Sequence, residues 1–121
     1  MTWKNILKIE MEEARRLGRK YASEEMIQDD IDKMVRRQKE AIPRLKQLIS
    51  NIRNKKVQHF GREYTPNSLS SNELSAIDFW LKEFKPYKTP QIKTNMGRKK
   101  VIEILEKFIS DVEKTHKRHG Y

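Results

Sequence analysis

Residues 24–54 read EEMIQDDIDKMVRRQKEAIPRLKQLISNIRN, and this stretch decides the fold because it carries the longest regular apolar pattern in the chain. Its apolar positions advance by alternating steps of four and three residues, which is the seam of a heptad repeat along one face of a long helix. The seam consists of Ile27, Ile31, Met34, Gln38, Ala41, Leu45, Leu48 and Ile52. Pro43 has no backbone N–H to donate within a helix, so we expect a kink or break near residues 41–42.

Two more helices are predicted, one before and one after this stretch. Residues 3–17 carry an apolar stripe that ends before Gly18, a residue typical of helix C-termini. Ser70 and Glu73 have the spacing of a capping box, in which each residue caps the other's backbone N–H. A helix should therefore begin after Ser70 and run to about residue 84.

The remaining segments predict a hairpin, a connector and a final helix. Residues 57–65 lose the helical period and predict a short β-hairpin around Gly61. Residues 85–97 hold two prolines and indicate an extended connector. A last amphipathic helix should start near Arg98, and residues 117–121 are expected to form a flexible tail.

The predicted fold class is all-α: a compact four-helix bundle whose long second helix is kinked at Pro43, with the short hairpin at 57–65 as an addition. A chain of 121 residues has room for one domain over residues 1–121. Leu, Ile, Val and Phe account for 28 residues, 36% of the chain is charged, and the mean hydropathy is −0.94. We therefore expect a folded chain with a thin core.

Composition also excludes several classes of protein. The chain has no cysteine, so it holds neither disulfides nor thiolate metal sites, and a reducing, cytoplasmic location is predicted. No stretch approaches the roughly 18 uninterrupted apolar residues of a membrane span. Residues 1–8 lack the apolar core of a signal peptide. We expect neither export nor membrane anchoring.

Few residues have the spacing that catalysis or metal binding requires. His116 and His119 lie three residues apart, but they stand in the last turn of a basic tail with no cysteine nearby. Glu25, Asp29 and Asp32 share one helix face, where acidic residues of the first turns need no metal to explain them. We expect no metal, no cofactor and no enzymatic activity.

The positive charge is concentrated in two short segments. Residues 51–69 carry a net charge of +3 and residues 85–100 carry +6, out of +10 for the whole chain. Lysine and arginine contact phosphates, and aromatic rings such as Phe60 offer stacking surfaces for unpaired bases. The predicted nucleic-acid-binding residues are Arg53, Lys55, Lys56, Arg62, Tyr64, Lys85, Tyr87, Lys88, Lys93, Arg98, Lys99 and Lys100. The two segments leave opposite ends of a predicted helix about 22 Å long, so they form one patch only if the fold brings them together.

The leading hypothesis is a non-enzymatic protein that associates with DNA or RNA through these basic loops. The alternative is a protein–protein interaction module, such as an adaptor, an assembly subunit or a small inhibitor from a virus or mobile element. Such a module would bind an acidic protein, or form a homodimer through the seam of the long helix. A third reading treats the basic loops as solubilising and Phe60 or Tyr64 as core residues.

Overall fold

The structure, a computed structural model, has three helices and one β-hairpin in the part of the chain that it describes. The described residues are Asn5, Ile6, Ile9, Glu12 and 24–121. In chain order the elements are helix α1 (Glu24–Arg53), strand β1 (Val57–His59), strand β2 (Arg62–Tyr64), helix α2 (Ser71–Leu81), a 3₁₀ turn (Lys82–Phe84) and helix α3 (Arg98–Arg118). None of the described helices is long and apolar enough to cross a membrane.

The prediction of a four-helix bundle is wrong, because the described residues form three helices and a two-stranded antiparallel hairpin. The predicted helix over residues 3–17 lies outside the described residues except at Asn5, Ile6, Ile9 and Glu12. At 1.5 Å per residue, α1 is about 45 Å long, α2 about 17 Å and α3 about 32 Å. Helices of such unequal length cannot pack against one another along their whole lengths as the helices of a four-helix bundle do.

Helix α1 runs through Pro43 as one uninterrupted helix, so of the kink or break predicted near residues 41–42 the break does not occur. Pro43 is exposed, and so is Lys39, the residue whose carbonyl would have accepted the missing hydrogen bond. A carbonyl on the solvent side of a helix can be hydrated instead. The proline therefore lies on the face where its lost hydrogen bond is easiest to replace.

The main core forms where the C-terminal half of α1 packs against α2, the 3₁₀ turn and α3. Its buried residues are Ala41, Ile42, Leu45, Ile49, Ile52, Ile77, Leu81, Phe84, Val101, Ile102, Leu105, Ile109 and Val112. The rings of Phe84 and Phe108 meet edge to face with centroids 5.2 Å apart. The seam of α1 is thus covered within the same chain, and a homodimer through this helix gains no support from the fold.

A buried polar contact joins α1 to α3 beside this core. The side-chain nitrogen of the fully buried Gln38 donates to the carbonyl of Lys85 at 2.8 Å, and its oxygen lies 2.8 Å from Nε2 of His116. Since that oxygen can only accept, Nε2 carries the proton. Burial lowers the pKa of His116, nearby Lys39 lowers it further, and Glu113 opposes both. The contact fixes α1, α3 and the start of the connector relative to one another.

The N-terminal half of α1 contributes to a second, smaller core cluster. Its buried members are Ile6, Ile27, Ile31 and Val35. Tyr121 packs against this cluster, and its hydroxyl donates to Asp32 at 3.0 Å and accepts from Gln28 at 2.7 Å. The last residue of the chain therefore lies against α1.

Candidate nucleic-acid interface

The hairpin that follows α1 has a tight turn with two positive φ angles. The register pairs Val57 with Tyr64 and His59 with Arg62, which leaves Phe60 and Gly61 as the central turn residues. Their φ angles are 49° and 76°, the positive-φ pattern of a type I′ turn, whose twist matches that of antiparallel strands. Glycine adopts this conformation readily, whereas phenylalanine rarely does.

One face of the hairpin presents aromatic and basic side chains to solvent. Residues paired across antiparallel strands point to the same side, so His59, Arg62 and Tyr64 share a face with the half-buried Val57. His59, Arg62 and Tyr64 are all exposed. Neither strand packs against any of the three described helices. The hairpin therefore projects from the helical body.

Arg98, the first residue of α3, ties the loop between the hairpin and α2 to the helices. Its side chain is buried, with 4% of the residue exposed. Nε donates to the carbonyl of Pro66 at 2.7 Å, Nη1 to that of Ile52 at 3.0 Å, and Nη2 to that of Ser68 at 3.0 Å. Nη1 and Nη2 also bind the two carboxylate oxygens of Glu73 at 2.5 and 3.1 Å. All five N–H groups of the guanidinium are used.

The carboxylate of Glu73, the partner of Arg98, is held in its charged form. Burial raises the pKa of Glu73, but hydrogen bonds from Arg98 and from the backbone N–H of Ser70, together with the positive charge of Arg98, outweigh it and lower the pKa below its usual value. Ser70 and Glu73 form the predicted capping box at the start of α2. One glutamate therefore caps α2 and anchors α3.

Through Arg98 the fold brings together parts of the two basic segments. The backbone N–H of Arg98 donates to the carbonyl of Asn67 at 2.6 Å, and Ser68 and Gly97 form an isolated β-bridge. The N-terminus of α3 thus lies beside the base of the hairpin. We call the cations at this end of the molecule the basic end: Lys55, Lys56, Arg62, Lys99 and Lys100.

The cations of the basic end are exposed and make no ion pair with a carboxylate in the described part of the chain. Lys56 donates to the hydroxyl of Thr65 at 2.9 Å, which leaves its charge in place. Arg53, predicted as a member of the same site, differs because it forms an ion pair with Glu106 of α3. Its charge is thus largely balanced within the fold.

Three other predicted residues lie elsewhere, in a groove between α2, the connector and α3. Lys85, Lys88 and Lys93 line this groove, together with Lys82 and Lys107. Its volume is about 1280 Å³. The predicted residues therefore form two surfaces, the basic end and a lysine-rimmed groove.

Two of the predicted contact residues are buried or half-buried. Arg98 is buried and fully hydrogen-bonded, so it positions the basic end and does not itself reach a phosphate. Tyr87 is half-buried against the core, its ring 6.3 Å from that of His116. Burial raises the pKa of Tyr87, and a hydrogen bond with Thr115 partly opposes this. Tyr64, in contrast, is 48% exposed.

The prediction of contact residues omitted Phe60, which is the most exposed large apolar side chain of the described residues at 93%. The sequence does carry a signal for Phe60. Hairpin turns of this type ordinarily have Asn or Asp before glycine, so a phenylalanine before Gly61 is unusual at the centre of such a turn. Its exposure excludes the reading of Phe60 as a core residue.

The described residues contain no group of three or more His, Asp or Glu side chains placed to hold a metal ion. His116, considered with His119 as a candidate ligand pair, is buried against Gln38. No protein-family model, curated protein or solved structure matches the chain.

Proposed function

We propose that this chain is a non-enzymatic protein that binds DNA or RNA through phosphate contacts made by the basic end. The observation that carries the proposal is that two groups of cations from distant parts of the sequence lie at the same end of the molecule. Lys55, Lys56 and Arg62 come from the hairpin segment, Lys99 and Lys100 from α3, and none is paired with a carboxylate within the described chain. Neutralising phosphates with such cations releases counterions, which favours binding.

The first turn of α3 adds support. The helix dipole favours negative charge at a helix N-terminus, yet this turn contains Lys99 and Lys100 and no acidic residue. Gly97, the N-cap residue, provides no side-chain cap. Lys99 and Lys100 therefore lie at the positive end of the helix dipole, where their charge is unfavourable. A phosphate bound over this end of α3 would explain their position, because the lysines and the backbone N–H groups would both bind it.

The proposal is tested by fluorescence anisotropy with labelled single-stranded DNA, duplex DNA and a structured RNA across a salt series. If all five cations of the basic end contact phosphates, the slope of log K against log salt should be about −4.5 on duplex DNA and about −3.5 on single strands. An absence of binding to every probe at the lowest salt concentration would contradict the proposal.

A pair of charge-matched variants locates the contact. Replacing Lys99 and Lys100 by Gln should reduce the magnitude of the slope by about 1.8 on duplex and about 1.4 on single strands. Replacing Lys114 and Lys117, exposed residues in the C-terminal part of α3, removes the same charge and should leave the slope nearly unchanged. Equal effects of the two double variants would place the contact outside the basic end.

A second candidate function rests on the groove. Five lysines rim it, whereas Asp78 and Asp111 are its only acidic lining residues within the described chain, and Asp78 is paired with Lys82. Half-buried apolar side chains, including Ile92 and Phe108, lie between them. Its volume exceeds the roughly 300–1,000 Å³ of small-molecule pockets, which favours a segment of an acidic protein as the ligand.

The two functions are separable by mutation. Reversing Lys88 and Lys93 to Glu should abolish binding of an acidic amphipathic probe peptide to the groove. The same change should weaken oligonucleotide binding less than removal of Lys99 and Lys100, because the groove and the basic end are different surfaces. Failure of a Glu- and Leu-rich helical peptide to bind the unmodified protein would count against the second candidate.

A further inference from the structure

The tip of the hairpin carries a feature that stability does not explain. Phe60 adopts a left-handed backbone conformation, with a φ of 49°, that is unfavourable for a bulky residue, and 93% of it is exposed. No apolar partner in the described core compensates, since Phe60 belongs to neither core cluster. Local strain without a compensating packing gain is concentrated at functional sites, which makes Phe60 the position to examine.

The surroundings of Phe60 indicate what it contacts. The ring of His59 meets that of Phe60 edge to face at 4.2 Å. Arg62 and Tyr64 follow on the face that His59 shares, and successive residues of one strand face lie about 7 Å apart. The projecting arm thus offers three rings and a guanidinium to solvent, beside the lysines of the basic end.

Building on the proposed function, we propose that the hairpin binds unpaired nucleotides, with the ring of Phe60 stacked on a base and Tyr64 providing a second stacking surface. Arg62 and the lysines of the basic end contact the flanking phosphates. The faces of bases are open to an aromatic ring only where the strand is unpaired, whereas a duplex must first be unstacked. Binding is tolerant of sequence, because every base has a face on which a ring can stack.

The test measures binding of a labelled oligothymidylate of about 12 nucleotides, within the roughly 4–16 nucleotides that one small single-strand-binding domain covers. Phe60→Ala should raise the Kd for this probe by about 5- to 150-fold, the equivalent of about 1–3 kcal/mol per stacked base. The salt dependence should be unchanged, since no cation is removed. Binding to a duplex of the same length should change by less than about threefold.

Two further variants at this position separate stacking from general hydrophobicity. Phe60→Trp should retain binding, and the added indole fluorescence should change when the oligonucleotide binds. Phe60→Leu keeps an apolar side chain without a ring, so it should bind the single strand as weakly as Phe60→Ala. If Phe60→Leu binds as tightly as the unmodified protein, the stacking proposal is overturned.

Phe79 provides the matched control. It is an exposed phenylalanine on α2, with 60% of the residue exposed and its ring 5.1 Å from that of Trp80. Phe79→Ala should leave single-strand binding unchanged. A loss equal to that of Phe60→Ala would show that any exposed ring contributes, which contradicts a specific role for the hairpin tip. Circular dichroism confirms that each variant keeps its helices.

The remaining outcomes distinguish this inference from the proposed function. If the unmodified protein binds the single strand and Phe60→Ala binds it equally well, the inference fails and the proposed function stands. If the unmodified protein binds no nucleic acid, the proposed function fails and the inference is overturned with it. Two other outcomes would overturn the inference. Phe60-dependent binding to duplex alone would indicate that Phe60 wedges between base pairs in a groove of the duplex. Phe60-dependent binding to anionic phosphatidylserine vesicles, without binding to oligonucleotides, would indicate a membrane contact.

Discussion

Replacing Arg98 by Met should destabilise the fold severely, although Arg98 was predicted as a surface phosphate contact. The substitution keeps an apolar stem of similar length and removes five hydrogen bonds at once. Three backbone carbonyls and the carboxylate of Glu73, whose side chain is 14% exposed, lose their partner. Breaking a buried ion pair in this way costs about 3–5 kcal/mol, a large part of the roughly 5–15 kcal/mol that stabilises a small domain.

Urea denaturation followed by circular dichroism measures this loss. Lys99→Met is the matched control, because it removes the same charge from the next residue of the same helix, where the side chain is exposed. Its free energy of unfolding should change by less than about 0.5 kcal/mol. A loss below about 1 kcal/mol for Arg98→Met would refute the interpretation of Arg98 as the residue that joins α1, α2, α3 and the loop before α2.

The pH dependence gives this prediction a second test. The pKa of Glu73 is lowered in the folded protein, so its contribution to stability is present above the unfolded pKa and is lost as the pH falls through the folded pKa. In Arg98→Met the hydrogen bonds and the positive charge of Arg98 no longer lower this pKa, while burial and the hydrogen bonds with Ser70 remain. The difference in stability between the two proteins should therefore shrink below about pH 4. A difference independent of pH would show that Glu73 is not the main partner.

Three further outcomes follow from the buried contact and from the hairpin turn. Gln38→Leu leaves the carbonyl of Lys85 and the N–H of His116 without their partner, so urea titration should show a loss of about 1–3 kcal/mol. Burial lowers the pKa of His116 in the folded protein. The contribution of neutral His116 to the free energy of unfolding is therefore complete above about pH 6.5 and is lost as the pH falls toward the folded pKa. Stability should therefore decline from pH 7.5 to 5.5, and the decline should be smaller in His116→Gln. Phe60→Asn places the preferred residue before Gly61, and hydrogen exchange should show the hairpin stabilised by about 1 kcal/mol while single-strand binding weakens.

The local elements were predictable because local signals determine them. The capping box of Ser70 and Glu73 is present, with its two hydrogen bonds at 3.2 and 3.0 Å. The hairpin predicted at 57–65 forms with strands at 57–59 and 62–64, and α3 begins at Arg98 as expected. Each depends on residues within a few positions of one another, where spacing and backbone preference carry the information.

The composition of the site was harder to predict, because it depends on contacts between distant residues. Arg98 and Glu73 are 25 residues apart, and no pattern in the sequence shows that this arginine alone among its basic neighbours turns inward. Tyr87 has the sequence context of an exposed ring, but its backbone N–H bonds to the carbonyl of Phe84 at 2.9 Å and the chain folds back over the core. Charge segregation identified the two basic segments of the sequence, and the tertiary contacts divide their exposed cations between two surfaces.

The most direct test of the account is a titration of the ¹⁵N-labelled protein with a short single-stranded oligonucleotide, followed by amide chemical shifts in NMR spectra. The largest changes should map to residues 55–65 and 97–100; the bridge between Ser68 and Gly97 joins the segment after the hairpin to the start of α3. Amides that line the groove at residues 85–94 should change little. Changes concentrated in the groove, or none at an oligonucleotide concentration that saturates the anisotropy signal, would contradict the assignment of nucleic-acid binding to the basic end.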